Sequence, residues 1–472
     1  MRMLRLLAFA VFLVLAPFGS TLASPDYEDL ASDVRNTLKR FVEADTTSPP
    51  GNESRIVTIV KERLEAAAIP YDIMEFAAGR QNIVARLKGS GPERPMLLIA
   101  HSDVVSAEGQ PWTKPAHRLT EENGYLYGRG VLDDLGRAAI NLEVVIHLKK
   151  SRTPLRRDVI FALTGGEEVE GAGIRHLLAN RPDLIDAEFA INEGAGVTLD
   201  KTGIPIFNAI QVAEKVYQDF ELTTVGTAGH SSVPLGDNAI SRLSRALARL
   251  ADYERPARLM PATRAYYRNL SRIEGDPVRK QAMIDLATSE RALPTAALEV
   301  LQQNPNDSAN LRTTCVLTVI NGGSGRNALP AQAQANINCR MLPDESLTQL
   351  KTDLETIIND REVSVKALDI AISSPPSPHD SDVMATIDRV TQQIWPGLPT
   401  IPTVSNYGTD SAFLRAHGIP SYGLMPYPLT EEDAMTMHGA DERLSVRGLR
   451  IGTEYTYLLL LALAGGENKS AE

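Results

Sequence analysis

Histidines and carboxylates recur along this chain at the ends of apolar runs, where folding can bring them to one cleft. His101-Ser102-Asp103 closes the run 95–105. The period-two geometry of a strand lets residues 101 and 103 face the same way. A histidine with a carboxylate two positions on supplies a metal-binding nitrogen and a group that fixes its ring tautomer. Alone, the pair also suits a structural histidine at a strand end. Tyr127-Gly128-Arg129-Gly130-Val131-Leu132-Asp133-Asp134 sets two carboxylates at the start of a helix. Glycines permit unusual backbone there, and the helix dipole favours negative charge. A plain helix cap at Asp133 satisfies the same pattern. Thr164-Gly165-Gly166-Glu167-Glu168 follows another apolar run. Adjacent glutamates at such a corner can divide the work, one binding metal while the other handles protons; a surface charge pair is the plainer alternative. Asn192-Glu193-Gly194 and Met437-His438-Gly439 complete the set.

The elements that must position these groups alternate. Helical spacing covers 27–44, 54–68, 137–149 and 173–180, and strand-like runs occupy 82–88, 95–105, 158–163 and 187–191. That alternation predicts an α/β fold with a mainly parallel sheet covered on both faces. The candidate ligands then follow successive strands at one sheet edge, where open α/β folds place their sites. The character changes near residue 215. Strand 219–225, helix 238–253, strands 314–320 and 333–340, helix 347–359 and strand 363–370 spell an inserted ferredoxin-like α+β domain. Ser374-Pro375-Pro376-Ser377-Pro378 is a stiff connector. Helices 380–395 and 445–463 then resume the first domain. The expected layout is a leader at 1–23, a catalytic domain at 24–214 and 374–472, and an insert at 215–373. Within the insert, 254–311 reads as helical and polar, with no assignable role.

A net charge of −11 argues against a surface built for nucleic acid or an anionic membrane. Two arginines precede the apolar run 6–18, and small residues follow it through Ala23. This predicts a signal peptide cleaved after Ala23 and export to a periplasmic or extracellular location, with no membrane attachment afterwards. Cys315 and Cys339 lie on either side of a glycine-rich turn. They are wrongly spaced for a structural zinc site, and either pair across a hairpin or stay as free thiols.

Taken in order, these motifs span nearly the whole mature chain. They resemble the M20 zinc metallopeptidases, the family of aminoacylase-1, carboxypeptidase G2 and succinyl-diaminopimelate desuccinylase. Leu311-Arg312-Thr313-Thr314, Asn327-Ala328-Leu329-Pro330 and Asn338-Cys339-Arg340-Met341-Leu342-Pro343 resemble its carboxypeptidase S and N-fatty-acyl-amino acid hydrolase branch. The resemblance implies two Zn2+ per chain, with Co2+ or Mn2+ possible in the same donor set. His101 and Glu193 would hold one ion, Glu168 and His438 the other, and Asp133 would bridge them. Asp103 would orient His101, and Glu167 would be the general base for attack by zinc-activated water on an amide carbonyl. The insert would be a lid and dimerisation domain. Gly229-His230-Ser231-Ser232 matches the lid motif whose histidine stabilises the oxyanion, often across a dimer interface. Asn327 would support that oxyanion, and Arg340 would clamp the carboxylate of a small-molecule or peptide substrate. Thr409-Asp410-Ser411 falls near the family's substrate loop and is expected to contact that carboxylate end. Two positions depart from the family pattern: Leu135 replaces a usual lysine and Ser106 a common proline. Both bear on tuning of the site rather than on its ligands.

The implied activity is cleavage of N-acyl amino acids or small peptides. A metal-containing protein that only captures peptides is the competing reading, and Glu167 distinguishes the two, since a binder needs no unliganded proton carrier. A serine or cysteine hydrolase lacks support, because there is no nucleophile elbow and neither cysteine has an evident histidine partner.

Overall fold

The computed structural model describes residues 25–169, 171–368 and 372–466; the expected leader at 1–23 lies outside them. The larger sheet has eight strands. Their order is Tyr71–Ala77, Arg80–Leu87, Arg157–Thr164, Glu93–His101, Phe189–Leu199, Ser421–Thr430, Pro205–Glu214 and Thr400–Ser405. The four central strands, from Arg157–Thr164 to Ser421–Thr430, run parallel. They are apolar on both sides because both faces are covered. Leu98, Ala100, Val159 and Phe161 face helices Tyr27–Glu43, Leu135–Lys150 and Val446–Ala464. The alternate residues Leu97, Ile99, Ile160 and Ala162 face Ala172–Asn180 and Asp410–Ala416.

A second sheet is built from the inserted residues. Its order is Thr314–Gly322, Gln332–Met341, Val216–Val225 and Val363–Ala367, with every pairing antiparallel. Helices Ala239–Ala251 and Leu347–Ile358 cover one face, their Leu243, Leu247, Leu350 and Leu354 packing against Phe220, Leu222 and Ile337. Strand–helix–strand–strand–helix–strand with the first strand inside the sheet is the ferredoxin-like arrangement.

Residues 254–311 acquire a structural explanation. They form helices Pro261–Leu270, Pro277–Thr288, Thr295–Leu301 and Pro305–Leu311 around Tyr267, Met283, Leu286 and Leu301. Pro261–Leu270 also lies along the outer strand Thr400–Ser405 of the large sheet. It covers the unpaired edge that would otherwise invite another chain.

Strands Pro205–Glu214, Thr400–Ser405 and Ser421–Thr430 were not anticipated by hydrophobic patterning. The last is the most instructive, because it lies inside the sheet and carries Pro426 and Pro428. Proline cannot donate to a ladder and argues against an interior strand. The structure accommodates both prolines where the register with Phe189–Leu199 shifts, between Met425 and Leu429. Among the described residues no helix is long and apolar enough to cross a membrane.

Antiparallel pairing sets Cys315 directly opposite Cys339, with Cα atoms 4.0 Å apart, and the two sulfurs are bonded. Of the two outcomes left open by spacing, the structure takes the crosslink. Intact-mass measurement of denatured protein with iodoacetamide should therefore show no alkylation before reduction and two additions after it. Alkylation without reductant would refute the bond.

Candidate metal centre

The parallel strands deliver the site at their carboxyl ends. His101 ends strand Glu93–His101, Glu167 and Glu168 follow Arg157–Thr164, and Glu193 lies within Phe189–Leu199. Asp133 and Asp134 immediately precede helix Leu135–Lys150, while His438 comes from the loop before Arg443–Ser445. Asp134, not Asp133, occupies the helix N-cap position, and it makes no side-chain cap bond.

Asp133 is the meeting point. Its Oδ1 lies 2.9 Å from His101 Nε2 and its Oδ2 lies 3.0 Å from His438 Nε2. Glu193 Oε1 stands 3.7 Å from the same His101 nitrogen, and Glu168 Oε1 stands 2.9 Å from the same His438 nitrogen. Two nitrogen–oxygen triads result, His101/Asp133/Glu193 and Asp133/Glu168/His438. Within each, the candidate ligand atoms lie within 4.8 Å of one another. The shared carboxylate offers one oxygen to each triad.

The electrostatics fit cations of higher charge than protonated imidazole supplies. Burial, with repulsion from Asp133 and attraction to His101 working against each other, holds the Glu193 carboxyl at about 8. Burial and then Glu193 push Glu167 well above the usual carboxylate range. Asp134 is raised to about 6, chiefly by burial. Hydrogen bonds to Asp133 and Glu168 carry His438 up to about 10. Carboxylates crowded in this way are under-neutralised by two imidazoles, and divalent ions relieve the repulsion directly. The donor set of imidazole and carboxylate suits zinc, cobalt or manganese.

Asp103 does more than its spacing suggests. Its backbone carbonyl is 3.0 Å from His101 Nδ1, while its carboxylate Oδ1 lies 3.7 Å away. That carboxylate accepts the backbone N–H groups of Glu167 (3.0 Å) and Glu168 (3.2 Å). It therefore ties the histidine strand to the double-glutamate turn. The turn needs glycine at 166, where φ is +71° and a Cβ would stand 3.1 Å from Ala172.

A buried layer beneath the ligands escaped sequence reasoning. Glu442, fully buried, accepts the backbone N–H groups of Gly130 (3.1 Å), Leu132 (2.8 Å) and Asp133 itself (3.2 Å). It also receives the Arg129 guanidinium at 2.7 Å. Arg129 reaches on to the His438 carbonyl at 3.2 Å, which Gln110 also engages at 2.8 Å. One ion pair thus holds both loops that meet at the second triad. Arg137 does the same across the sheet, donating to Asp134, to the Ile99 carbonyl and to the Ile191 carbonyl. Arg129 falls within the Tyr127–Asp134 segment and Glu442 lies four residues past His438, but nothing local in the sequence separates them from surface charges.

The remaining candidates lie apart from the triads. His230 and Asn327 are exposed and stand together on the smaller unit, where the ribbon Gly229–His230 pairs with Ala328–Leu329. Ser231 donates its N–H to the Asn327 carbonyl at 3.0 Å. His230 Nδ1 accepts from Ser232 N–H at 3.2 Å and lies 2.7 Å from Ser232 Oγ. Arg340 stacks over Tyr217, 4.6 Å from its ring centre, and donates to the Asn406 carbonyl of the larger unit at 3.2 Å. Thr409-Asp410-Ser411 corrects an expectation. These side chains are buried and already engaged with Glu214, Thr164 and Asn192 respectively, so they brace the site from below rather than line it. Tyr407, two residues earlier, is 51% exposed and close enough to Glu193 and Asp133 to feel their charge.

Comparison with known proteins decides the family. The model for peptidase family M20/M25/M40 matches residues 97–462. The chain belongs to this family. It is accordingly a metallopeptidase-type hydrolase of amide or peptide bonds. N-fatty-acyl-amino acid synthase/hydrolase PM20D1 of Mus musculus is 28% identical over 469 residues, spanning 93% of this chain and 89% of that one. A probable carboxypeptidase S-like 2 of Dictyostelium discoideum is 27% identical, over 78% of this chain and 71% of its own. Among solved structures, the M20 family metallo-carboxypeptidase Sso-CP2 from Sulfolobus solfataricus superposes with a TM-score of 0.68 at 18% identity, covering 91% of this chain and 99% of that one. The YXEP protein of Bacillus subtilis, described as a dinuclear metal binding peptidase, gives 0.60 at 14% identity over 92% and 99%. At such identities the structures show that the M20 fold is shared.

The Arg129–Glu442 pair yields a prediction for this M20 site. Removing one partner of a buried pair strands the other charge at a cost of about 3–5 kcal/mol. Glu442→Ala should therefore lower the Tm, and should weaken metal affinity about 10–100-fold, as loss of a group that orients ligands does. Glu442→Gln, which keeps the shape and one acceptor, should fall between it and wild type. Equilibrium dialysis against zinc measures this; wild-type affinity in the alanine variant would show that Asp133 is held without Glu442.

Proposed function

We propose that this chain is an exported two-zinc enzyme that hydrolyses the amide bond of N-acyl amino acids or small peptides bearing a free carboxylate. The observation that carries the reading is Asp133, whose two carboxylate oxygens face two different histidine-containing triads. His101 and Glu193 would hold one ion, Glu168 and His438 the other, with Asp133 shared between them. Bound there, zinc supplies Lewis acidity toward the amide carbonyl and toward water.

The chain's own residues do the rest. Glu167 is in neither triad, although its neighbour Glu168 is. It takes a proton from water and returns one to the departing amine nitrogen. A protein that merely captured peptides would have no use for such a group. Asp103 keeps Glu167 beside the triads through the backbone bond at 3.0 Å. On the smaller unit, acceptance of the Ser232 N–H at His230 Nδ1 leaves the ring proton on Nε2, the donor an oxyanion requires. Asn327, on the partner strand of the same ribbon, adds a second donor. Arg340 clamps the substrate carboxylate by paired hydrogen bonds. The smaller unit thus acts as a lid over the metal cleft. A second copy would pair through this smaller unit.

Substrate class follows from the N-fatty-acyl-amino acid hydrolase likeness and from Arg340, and export from the leader together with a disulfide that persists in oxidising compartments. Wild type and Glu167→Gln, both zinc-loaded, should be assayed on a panel of acyl-amino acids and dipeptides. The variant should keep its metal and lose about 10²–10⁴-fold in kcat, the usual contribution of a general base. Undiminished turnover would remove Glu167 from the role, and a metal-loaded wild type inactive on every substrate would favour a binding protein. Protein recovered from periplasm or medium should begin at Ser24 on N-terminal sequencing; an intact leader would contradict export by cleavage.

A further inference from the structure

The crosslink in the smaller unit joins an unusual pair of strands. Among the described residues, Thr314–Gly322 is the outermost strand of this sheet, paired with Gln332–Met341 alone, and it is exposed along most of its length on both faces. A strand with neither face buried has weakly specified register, since a slip moves no apolar set out of a core. Its pairing is already irregular between Leu317 and Val319. Register nevertheless matters here, because the connection between the two strands carries Asn327 and the short strand Ala328–Leu329 that pairs with Gly229–His230. A slip of the outer strand would feed or withdraw chain from this connection and shift Asn327 against His230. The bond between Cys315 and Cys339 closes a loop of sequence separation 24 around the whole segment.

We propose that the Cys315–Cys339 disulfide is a positioning crosslink for the oxyanion donors: it pins the register of the outer strand and thereby holds Asn327 against the His230 ribbon. The effect is selective. Arg340 is adjacent to Cys339, but its strand is also paired along its length with Val216–Val225, so it stays placed without the crosslink. Asn327 lies outside that paired run, in the connection, and is held through the short ribbon with Gly229–His230 and the Ser231 N–H. The inference rests on the reading of Asn327 and His230 as oxyanion donors, and its first consequence, the pinning, can be read without catalysis.

Two crosslink-free proteins test it, Cys315→Ser with Cys339→Ala, and Cys315→Val with Cys339→Val, whose β-branched pair refills the strand contact if the first folds poorly. Peptide-level hydrogen exchange should show protection lost at Ser231, whose N–H bonds the Asn327 carbonyl, and along 323–331, with metal content unchanged. In turnover assays kcat should fall on the order of ten- to a hundredfold, as misplacement by about an ångström does, while KM changes little. Asn327→Ala should cost much less in the crosslink-free background than in wild type, a non-additivity that general loosening would not produce. Unchanged exchange at Ser231 overturns the pinning whether or not the enzyme turns over. Lost protection with unchanged kcat, or strictly additive effects of Asn327→Ala, overturns the link to catalysis. A wild type without activity on any substrate would instead sink the proposed function and leave exchange to decide the pinning.

Discussion

Everything in the candidate metal centre depends on one carboxylate being offered in two directions at once. Asp133 can do this because its own loop is immobilised from beneath by Glu442, which takes three backbone N–H groups and the Arg129 guanidinium. A carboxylate that is to serve two ions would tolerate little error, since a small rotation toward one would turn it from the other. Holding the backbone rather than the side chain is an economical solution, since it leaves both carboxylate oxygens free. The same ion pair reaches the His438 carbonyl, so the two sequence-distant halves of one triad share a single support.

The proposed chemistry draws on two units of different electrostatic character. The larger sheet gathers anionic groups at its carboxyl edge, where burial raises Glu167 and Glu193 and makes the cleft receptive to divalent ions. The smaller unit carries the neutral and cationic side chains His230, Asn327 and Arg340, which the proposed function assigns to an oxyanion and a substrate carboxylate. Arg340 already touches the larger unit at Asn406. Of the helices in 254–311, Pro261–Leu270 lies along the outer strand of the large sheet, and near the junction the Lys215 ammonium donates to the Ala309 and Arg312 carbonyls.

Strands with uniform apolar character and helices with a clean stripe, such as Glu93–His101 and Tyr27–Glu43, were legible from pattern alone, because burial dictates those patterns directly. The ferredoxin-like unit was legible for the same reason. Ser421–Thr430 was not, since Pro426 and Pro428 contradict local strand preference and only the register shift against Phe189–Leu199 admits them. Tertiary context outweighed propensity there.

The sequence by itself singled out the candidate ligands and their order: His101, Asp133, Glu168, Glu193 and His438, with Glu167 beside them, each following an apolar run or a glycine-bearing loop. It could do so because metal chemistry restricts which side chains serve, and strand ends restrict where they fall. Only the tertiary structure decided which of them share Asp133, that the Asp103 carboxylate binds the Glu167–Glu168 turn, and that Thr409, Asp410 and Ser411 turn inward. It also decided that Cys315 and Cys339 pair. Those facts depend on contacts between residues tens to hundreds of positions apart, and a buried Glu442 differs from a surface glutamate only by what surrounds it.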